Sequence, residues 1–348
     1  MTTASLLSVA TAVPPHVLRQ GEVAKAAAAV YADRLPDFER LSAVYHSAGI
    51  ERRHAVRPLE WYLEDRDWPD RTEAYCEGAG QLFIEAARGA IAKAGLEAED
   101  IHTVVTISST GISTPSLEAR AAGELGLASH ARRIPVFGLG CAGGAAGLAI
   151  AARLAMATPG APVLVVAVEV CTLAFRMDKA DKANLVATAL FGDGAAACVL
   201  RAGGGGVATI LGSGEHMWTG TLDIMGWQVD PQGFGVIFDR AIPPFARTNL
   251  PEAFASLLAS CDWDGNPIDR VLCHPGGRKV IEAVEEALQL PTGQLDHERA
   301  ILRDYGNMSA PTVLFVLARA LSRGLPARTA LMALGPGFTA SCVLLGGP

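Results

Sequence analysis

Aromatic and charged residues are both scarce in this chain of 348 residues, at 6% and 19% of the sequence. Basic residues are outnumbered by acidic ones, and the net charge of −7 argues against a general nucleic-acid binder, which needs a basic surface. Half of the residues are hydrophobic, so extensive disorder is excluded as well. With 37 glycines and few large rings, the core must be built from helices and strands that approach one another closely.

Paired cysteines are also missing. The seven cysteines are an odd number and form no Cys-x-x-Cys pair, which argues against a disulfide framework and a zinc site and favours a cytoplasmic protein with reduced thiols. No basic segment precedes the first apolar run, which therefore predicts a strand and not a signal peptide. Ile134–Ala152 is uncharged and long enough to cross a membrane, but Pro135 and several glycines favour a strand, a turn and a buried helix. No transmembrane segment is expected.

The hydrophobic pattern alternates helices with strands and runs through the same order twice. This repeat predicts two related α/β halves that share one fold, residues 1–205 and 206–348. Between the two series, Gly212–Arg247 has a weaker pattern that fits either a pocket lining or a surface hairpin. The expected helices are Gly78–Ala94, a helix from Cys141 to about Ala155, Leu250–Ser260 and Thr312–Leu321; the expected strands are His102–Ser108, Val136–Gly140, Val163–Val170, Ala195–Leu200, Arg270–Cys273, Ala330–Leu334 and Ser341–Leu345.

Gly138, Gly140 and Gly143 lie between an apolar run and a helical run, and their spacing supports two interpretations. G-x-G-x-x-G is typical of a dinucleotide-binding loop, and Glu169 near the end of the next strand would then bind the ribose of a nicotinamide cofactor. The same turn places Cys141 at the start of a helix, where the helix N-terminus lowers the pKa of a thiol and makes it a nucleophile. The first interpretation predicts a dehydrogenase and the second an enzyme with a nucleophilic cysteine.

Two polar residues of the second half favour the cysteine. His274 ends a short strand, and the following Pro-Gly-Gly stops regular structure there. Asn307 precedes the helix of the second half as Cys141 precedes the helix of the first half. If a pseudo-two-fold axis relates the halves, the two helix starts face each other and Cys141, His274 and Asn307 converge.

Five segments carry a resemblance to a known family: Gly138–Gly144, Ala189–Ala197, His274–Gly277, Tyr305–Ser309 and Gly335–Gly337. In this order, over nearly the whole chain, they resemble the type III polyketide synthases, the chalcone-synthase-like branch of the thiolase superfamily. The resemblance implies a layered αβαβα thiolase fold whose N-terminal half carries the nucleophile Cys141 and whose C-terminal half carries His274 and Asn307. It also implies a homodimer that uses acyl-CoA and malonyl-CoA, with no metal or other cofactor.

The resemblance further implies substrate-contacting positions. Phe191 matches the gatekeeping phenylalanine between the CoA tunnel and the cavity, and Thr114 stands where plant enzymes place a methionine that reaches across the dimer. Arg52 and Arg53 are candidates for the cations at the tunnel entrance, and Ser309 belongs to the Asn307 turn. The remaining cavity positions, several of them smaller than in plant enzymes, are Cys171, Ala174, Gly226 and Val236.

The small cavity residues imply a fatty acyl starter of medium or long chain, and Met225–Trp227 looks like bacterial relatives that make alkylpyrones or alkylresorcinols. Iterative condensation of malonyl-CoA and ring closure would follow. The nearest competing hypothesis is a ketoacyl-ACP synthase III-like enzyme, which extends its starter once. The nicotinamide-dependent dehydrogenase and a non-catalytic acyl-binding protein are hypotheses from different classes.

Overall fold

The computed structural model describes residues 3–261, 263 and 267–347. The strands are β1 Ala4–Ala12, β2 His16–Arg19, β3 Arg52–Ala55, β4 Thr103–Ile107, β5 Arg132–Val136, β6 Val163–Val170, β7 Asp193–Ala202, β8 Ala208–Met217, β9 Met225–Asp230, β10 Gly233–Phe238, β11 Arg270–Cys273, β12 Thr329–Gly335 and β13 Thr339–Gly346. The α-helices are α1 Gln20–Tyr31, α2 Phe38–Leu41, α3 Val44–Ser47, α4 Trp68–Lys93, α5 Leu117–Leu125, α6 Gly143–Ala157, α7 Lys182–Leu190, α8 Ile242–Ala259, α9 Arg278–Ala287, α10 Asp296–Tyr305 and α11 Ala310–Leu321. Short 3₁₀ turns lie at Leu59–Leu63, Ala98–Asp100, Gly140–Ala142 and Cys171–Ala174.

Nine of these strands form one mixed sheet in the order β11-β12-β13-β8-β1-β7-β6-β4-β5. From the middle of the sheet outward, β1 pairs antiparallel with β7, β7 pairs antiparallel with β6, and β6 pairs parallel with β4. On the other side β8, β13, β12 and β11 repeat this sequence of two antiparallel pairs and one parallel pair. A short antiparallel pairing of Ala4–Leu6 with Ala208–Ile210 joins the two series. The chain therefore has the expected mixed α/β fold, whereas a division at residue 205 stays a prediction.

Strand β6 explains the layers, because both of its faces are buried. Val163, Val165 and Ala167 face a central apolar layer together with residues of α6 and α11, while the alternate residues Leu164 and Val166 face a second core that includes α4. A strand covered on both faces is a continuous apolar run, as Val163–Val170 is. Helices α8 and α9 pack together beyond β8 and β13. The helices therefore form an outer layer on each series of strands and a central layer between the two series.

The central helices α6 and α11 touch at their first turns. A side chain on Gly144 would place its Cβ 2.3 Å from the Ala310 carbonyl oxygen, so only glycine allows this approach. Among the residues that the structure describes, one helical segment, Gly140–Ala157, is long and apolar enough to cross a membrane, yet 67% of it is buried inside the protein. The predicted strand, turn and buried helix over Ile134–Ala152 is therefore correct, and the close contact brings the two polar turns together.

The bounds of β6 and β11 coincide with the prediction, and the first strand is present as β1. Helix α4 begins ten residues before the expected Gly78, because Asp67 and Asp70 form a reciprocal capping box ahead of it. The weakly patterned Gly212–Arg247 contains the hairpin of β9 and β10.

Candidate active site

A tight turn presents Cys141 ahead of α6. Gly138 and Gly140 have φ angles of 94° and 47°, values that favour glycine, and both donate backbone hydrogen bonds to the Ser109 hydroxyl, at 3.1 and 3.3 Å. On the opposite side, a Cβ on Gly335 would lie 2.7 Å from the Ala142 nitrogen. Cys141 is partly buried and lies in the 3₁₀ turn, two residues ahead of Gly143, the first residue of the helix. The turn is therefore held on both sides with little freedom to move the thiol.

The backbone of Asn307 is fastened to the segment that carries Phe191. The Asn307 N–H donates to the Leu190 carbonyl at 2.8 Å, and the Gly192 N–H donates to the Asn307 carbonyl at 3.0 Å. These bonds form an isolated parallel bridge between Phe191 and Asn307. Two segments that are more than one hundred residues apart in the sequence therefore lie side by side at the site.

The side chain of Asn307 has a fixed orientation. Its Oδ1 accepts a hydrogen bond from the Ser309 backbone N–H at 2.8 Å, and its Nδ2 donates to the Gly276 carbonyl at 3.1 Å. Because one partner is a donor and the other an acceptor, the two ends of the amide cannot exchange. Ser309 holds a φ of 58°, a strained value for a serine. One amide hydrogen of Asn307 remains for another acceptor.

The imidazole of His274 is buried and unsatisfied. Its backbone N–H donates to the Met332 carbonyl at 2.9 Å, which extends the pairing of β11 with β12. Neither Nδ1 nor Nε2 has a hydrogen-bond partner within the residues that the structure describes. A buried polar atom without a partner costs about 1–3 kcal/mol, and such a cost is commonly retained where the group is used. A ligand that enters the site could supply the missing partners.

Asn307 connects the predicted residues. The Ser309 hydroxyl and the Asn307 amide approach the Cys141 thiol closely enough to lower its pKa by hydrogen bonding. Asn307 also binds the Gly276 carbonyl, and a Cβ placed on Gly276 would lie 3.6 Å from Nε2 of His274. Asn307 is therefore adjacent to Cys141 through its side-chain amide and linked to the His274 segment through Gly276.

Burial dominates the electrostatics of this site. Burial raises the pKa of the Cys141 thiol to about 12, although hydrogen bonds from Ser309 and Asn307 act to lower it. Burial also lowers the pKa of His274 to about 3. The helix N-terminus alone therefore does not produce the thiolate that the sequence predicted. A thiolate and an imidazolium formed together would offset each other's burial cost.

Glu169 supports the Cys141 turn from below and is fully buried. Its Oε2 accepts hydrogen bonds from the Ser109 N–H at 2.9 Å and the Thr110 hydroxyl at 2.7 Å, and burial raises its pKa to about 8. A carboxyl in this position cannot reach the ribose of a cofactor. The close contact at Gly144 likewise leaves no space for a pyrophosphate. The dinucleotide interpretation is therefore wrong.

The predicted cavity residues lie on three neighbouring elements. Cys171 and Ala174 are buried in their 3₁₀ turn, and β10 packs against this turn. Val236 of β10 lies opposite Trp227, whose ring meets Phe191 edge to face at 6.2 Å. The hairpin of β9 and β10 therefore packs on Phe191, which favours the pocket lining over the surface hairpin as the interpretation of this segment. Gly226 lies between partly buried neighbours, and a Cβ on it would have no atom of the described chain within 4 Å.

The two candidate arginines differ in placement. Arg52 is exposed and lies 3.8 Å from Asp304. Arg53 is fully buried, donates to the Phe191 carbonyl at 3.3 Å and lies near Asp193. The prediction that Arg53 meets CoA at a tunnel entrance is therefore wrong, because strand alternation turns its side chain inward. Thr114 is exposed, so its side chain is accessible to another molecule.

Sequence reasoning missed a basic cleft of about 340 Å³ beside Gly276 and Leu190. Four exposed cations line it, one from α7, one after β10 and two from α9: Lys182, Arg240, Arg278 and Lys279. Because three separate elements supply them, no run of basic residues marks the cleft. In the part of the chain that the structure describes, no group of three or more His, Cys, Asp or Glu could hold a metal ion.

The sequence is similar to known proteins over most of its length. Residues 1–204 match the family model for the N-terminal domain of chalcone and stilbene synthases, and residues 216–347 match that for the C-terminal domain. A 1,3,6,8-tetrahydroxynaphthalene synthase from Streptomyces peucetius subsp. caesius is 38% identical over 349 residues, covering 98% of this chain and 92% of the relative.

Solved structures give the same result. The 1,3,6,8-tetrahydroxynaphthalene synthase of Streptomyces coelicolor A3(2), a bacterial type III polyketide synthase, superposes with a TM-score of 0.93 at 30% identity, over 99% of each chain. Germicidin synthase from Streptomyces coelicolor, also a type III polyketide synthase, gives a TM-score of 0.92 at 25% identity, over the whole of both chains. The chain belongs to the chalcone and stilbene synthase family and is a type III polyketide synthase, an acyltransferase.

Proposed function

We propose that this enzyme condenses malonyl-CoA iteratively onto an acyl-CoA starter that is held as a thioester on Cys141. The observation that carries the proposal is the convergence of a thiol, an amide donor and an unsatisfied imidazole around Asn307. A nucleophile, a base and a pair of hydrogen-bond donors are what acyl transfer through a thioester requires.

Loading begins when the Cys141 sulfur attacks the thioester carbonyl of the starter. The thiol proton passes to His274, whose neutral imidazole accepts it. The new carbon–sulfur bond to Cys141 forms as the bond to CoA breaks, and the CoA sulfur leaves with the proton returned by His274. The enzyme then carries the acyl chain and both side chains are neutral.

Extension begins with malonyl-CoA in the same site. The bond to its carboxylate breaks, CO2 leaves, and the electron pair remains as an enolate on the thioester. The free amide hydrogen of Asn307 and an N–H of His274 donate to the enolate oxygen, which makes this step possible without a bound metal or other cofactor. The enolate carbon attacks the acyl carbonyl, and the Cys141 sulfur leaves. The Cys141 sulfur then attacks the thioester of the longer chain, the bond to CoA breaks, and CoA leaves as a thiolate that takes up a proton, which allows another round.

The basic cleft is the proposed entrance for CoA. Its cations Lys182, Arg240, Arg278 and Lys279 surround an opening that also includes Gly276 and Gly277, next to His274. CoA carries phosphates that need such cations, and its thioester arm could then extend inward toward the catalytic residues. Arg52 is exposed, does not line this cleft, and is a weaker candidate because it lies near Asp304.

For the starter we propose a fatty acyl group of medium or long chain, closed after extension into an alkylpyrone or alkylresorcinol. The small side chains of Cys171 and Ala174, together with Val236 on the facing hairpin, support it. A second product is favoured by the relative that is 38% identical, a synthase of 1,3,6,8-tetrahydroxynaphthalene. That product has no alkyl chain, so it would form without a fatty starter.

We also propose that the enzyme is a homodimer. The edge of β5 is unpaired among the described residues, and the nearby Ile112 and Phe137 are 54% and 55% exposed. Apolar side chains beside an open sheet edge are suited to a second copy of the chain. Thr114, two residues from Ile112, would then contact the partner. Light scattering of the protein and of Phe137→Asp should give a dimer and a monomer, respectively.

The test combines purified enzyme with malonyl-CoA, alone and with acyl-CoA starters from acetyl to stearoyl, and identifies the products by mass spectrometry. Two or more added ketide units with a fatty starter support the full proposal. A naphthalene product from malonyl-CoA alone supports the second product, and a single extension would favour a ketoacyl-ACP synthase III-like enzyme. Release of no CoA at all would favour an acyl-binding protein.

Two controls complete the test. Cys141→Ala should lose acyl loading in intact-protein mass spectrometry, because no other thiol has a base and an amide beside it at this site. A chelator should leave turnover unchanged, because the proposed chemistry needs no metal. A full acyl adduct on Cys141→Ala would refute the assignment of the nucleophile.

A further inference from the structure

Strand β11, which delivers His274, has a free outer edge among the residues that the structure describes. Its alternate N–H groups point to opposite sides. Those of Arg270 and His274 donate toward β12, to the carbonyls of Arg328 and Met332 at 3.3 and 2.9 Å. The N–H of Cys273 points the other way, to the side where no strand pairs. A buried N–H in that position needs another acceptor.

Glu298 supplies that acceptor from α10. Its Oε1 accepts the Cys273 N–H at 2.8 Å, and the side chain is fully buried. Its Oε2 has no hydrogen-bond partner in the described chain, and burial of this carboxyl therefore carries the cost of an unsatisfied oxygen. Glutamate is almost never fully buried without such a specific partner. Among the described residues, the hydrogen bond that this side chain accepts from another residue comes from Cys273, immediately before His274.

We propose that Glu298 is a positioning residue for His274, which holds the end of β11 so that the imidazole faces Cys141 and the substrate. The inference rests on the proposed function, since it assigns His274 a role in that reaction. Glu298 touches neither substrate nor reacting atoms and acts through the Cys273 backbone.

No hydrogen bond of the described chain holds the orientation of the His274 ring. Neither of its nitrogens is hydrogen-bonded, so the direction of the ring follows from its backbone and from packing. That backbone is held by Met332 on one side and, one residue earlier, by Glu298 on the other. It continues through Gly276, whose carbonyl accepts the Asn307 amide. A shift of Cys273 would therefore displace His274 and the Gly276 carbonyl that accepts from Asn307.

The neutral form of Glu298 is sufficient for this role. Burial raises its pKa to about 7, although the Cys273 N–H and Arg270 oppose the rise. A protonated carboxyl still has a carbonyl oxygen to accept the N–H. Glutamine has the same shape and the same acceptor, whereas leucine of similar size has none. The pair Glu298→Gln and Glu298→Leu therefore separates the hydrogen bond from the volume of the side chain.

The experiment measures three properties of the parent and these two variants: steady-state malonyl-CoA decarboxylation, the alkylation rate of Cys141 by iodoacetamide, and thermal unfolding. Glu298→Leu should lower kcat by about 10- to 100-fold with little change in KM, because a displacement of about 1 Å can cost about 100-fold. It should also slow Cys141 alkylation toward the rate of His274→Gln. Glu298→Gln should restore both rates to within about threefold of the parent.

Glu285→Leu is the matched control. Glu285 of α9 is also buried and pairs with Arg299 of α10 at 2.7 Å, but it makes no hydrogen bond to β11. This variant should loosen α10 and lower the unfolding temperature. It should leave kcat, KM and the rate of Cys141 alkylation close to those of the parent. Equal losses in Glu285→Leu and Glu298→Leu would show a general packing effect and overturn the proposal. So would a folded Glu298→Leu enzyme whose two rates match the parent.

The alkylation assay needs no substrate, which separates the two proposals. If the parent turns over no malonyl-CoA with any starter, the proposed function fails. In that case slower alkylation in Glu298→Leu, recovered in Glu298→Gln, would still support the positioning role. Unchanged alkylation in Glu298→Leu would reject it whatever the outcome with malonyl-CoA.

Discussion

Replacing His274 by glutamine should leave Cys141 without an acceptor for its proton. Burial raises the pKa of this thiol to about 12. A thiol with that pKa is ionised to a fraction of only about 10⁻⁴ at pH 8, whereas an ordinary cysteine is about one quarter ionised there. In the proposed mechanism the parent overcomes this by moving the proton to His274 as the thiol reacts, so that the two opposite charges stabilise each other. The variant cannot, so its thiol stays protonated through neutral pH.

The rate of alkylation by iodoacetamide reports this difference, because the thiolate is the reacting form. The rate at Cys141, followed by peptide mass spectrometry from pH 6 to 9, should be about 100-fold or more lower in the variant at pH 8. It should also rise about tenfold per pH unit without reaching a plateau, since the pH remains below the pKa. The parent should show a flatter profile.

Cys76 provides an internal control in the same samples. It is partly exposed, as Cys141 is, and it lies on α4, away from His274. Its rate should be equal in parent and variant at each pH. A His274→Gln enzyme that is alkylated at Cys141 as fast as the parent, or whose rate levels off below pH 9, would refute the reasoning. Burial would then not be what sets the pKa of the thiol.

Three further predictions concern neighbouring residues. Asn307→Ala should slow malonyl-CoA decarboxylation about 100- to 1,000-fold because an oxyanion donor is lost, while acyl loading of Cys141 in intact-protein mass spectrometry persists. Ala174→Phe should shift the preferred starter to shorter chains by filling the cavity, and an unchanged product profile would mean that the chain runs elsewhere. Arg53→Leu should lower the free energy of unfolding in urea by about 1–3 kcal/mol because it removes the donor to the buried Phe191 carbonyl, whereas the exposed Arg52→Leu should change it by less than about 0.5 kcal/mol.

The convergence of Cys141 and Asn307 was predictable because both precede helices in equivalent places of a repeated pattern. Two such helices must pack against each other if the strands repeat, and glycine at Gly144 permits the close approach. The strands with continuous apolar sequence were also predictable, since a strand covered on both faces has no other pattern. Local sequence was therefore enough wherever a single element determined the outcome.

The basic cleft was not predictable, because its cations come from elements that meet only in the folded chain. Lys182 and Arg278 are almost one hundred residues apart and become neighbours beside Gly276. Arg52 and Arg53 illustrate the opposite error. The sequence presents them as an equivalent pair, yet alternation along β3 exposes the first and buries the second. The signal for this difference was the alternation itself, which a short strand of four residues only weakly displays.

The two halves hold their reactive segments by the same physical means, although different elements provide it. Strands β4 and β11 occupy equivalent places in the two series of the sheet. Just beyond β4, the Ser109 N–H donates to buried Glu169 of β6, and at the end of β11 the Cys273 N–H donates to buried Glu298 of α10. Burial raises the pKa of both carboxyls, to about 8 and about 7. Both carboxyls therefore hold a backbone N–H beside a strand end, and because burial favours the neutral form of each, they place less negative charge beside the thiolate and the enolate of the proposed reaction.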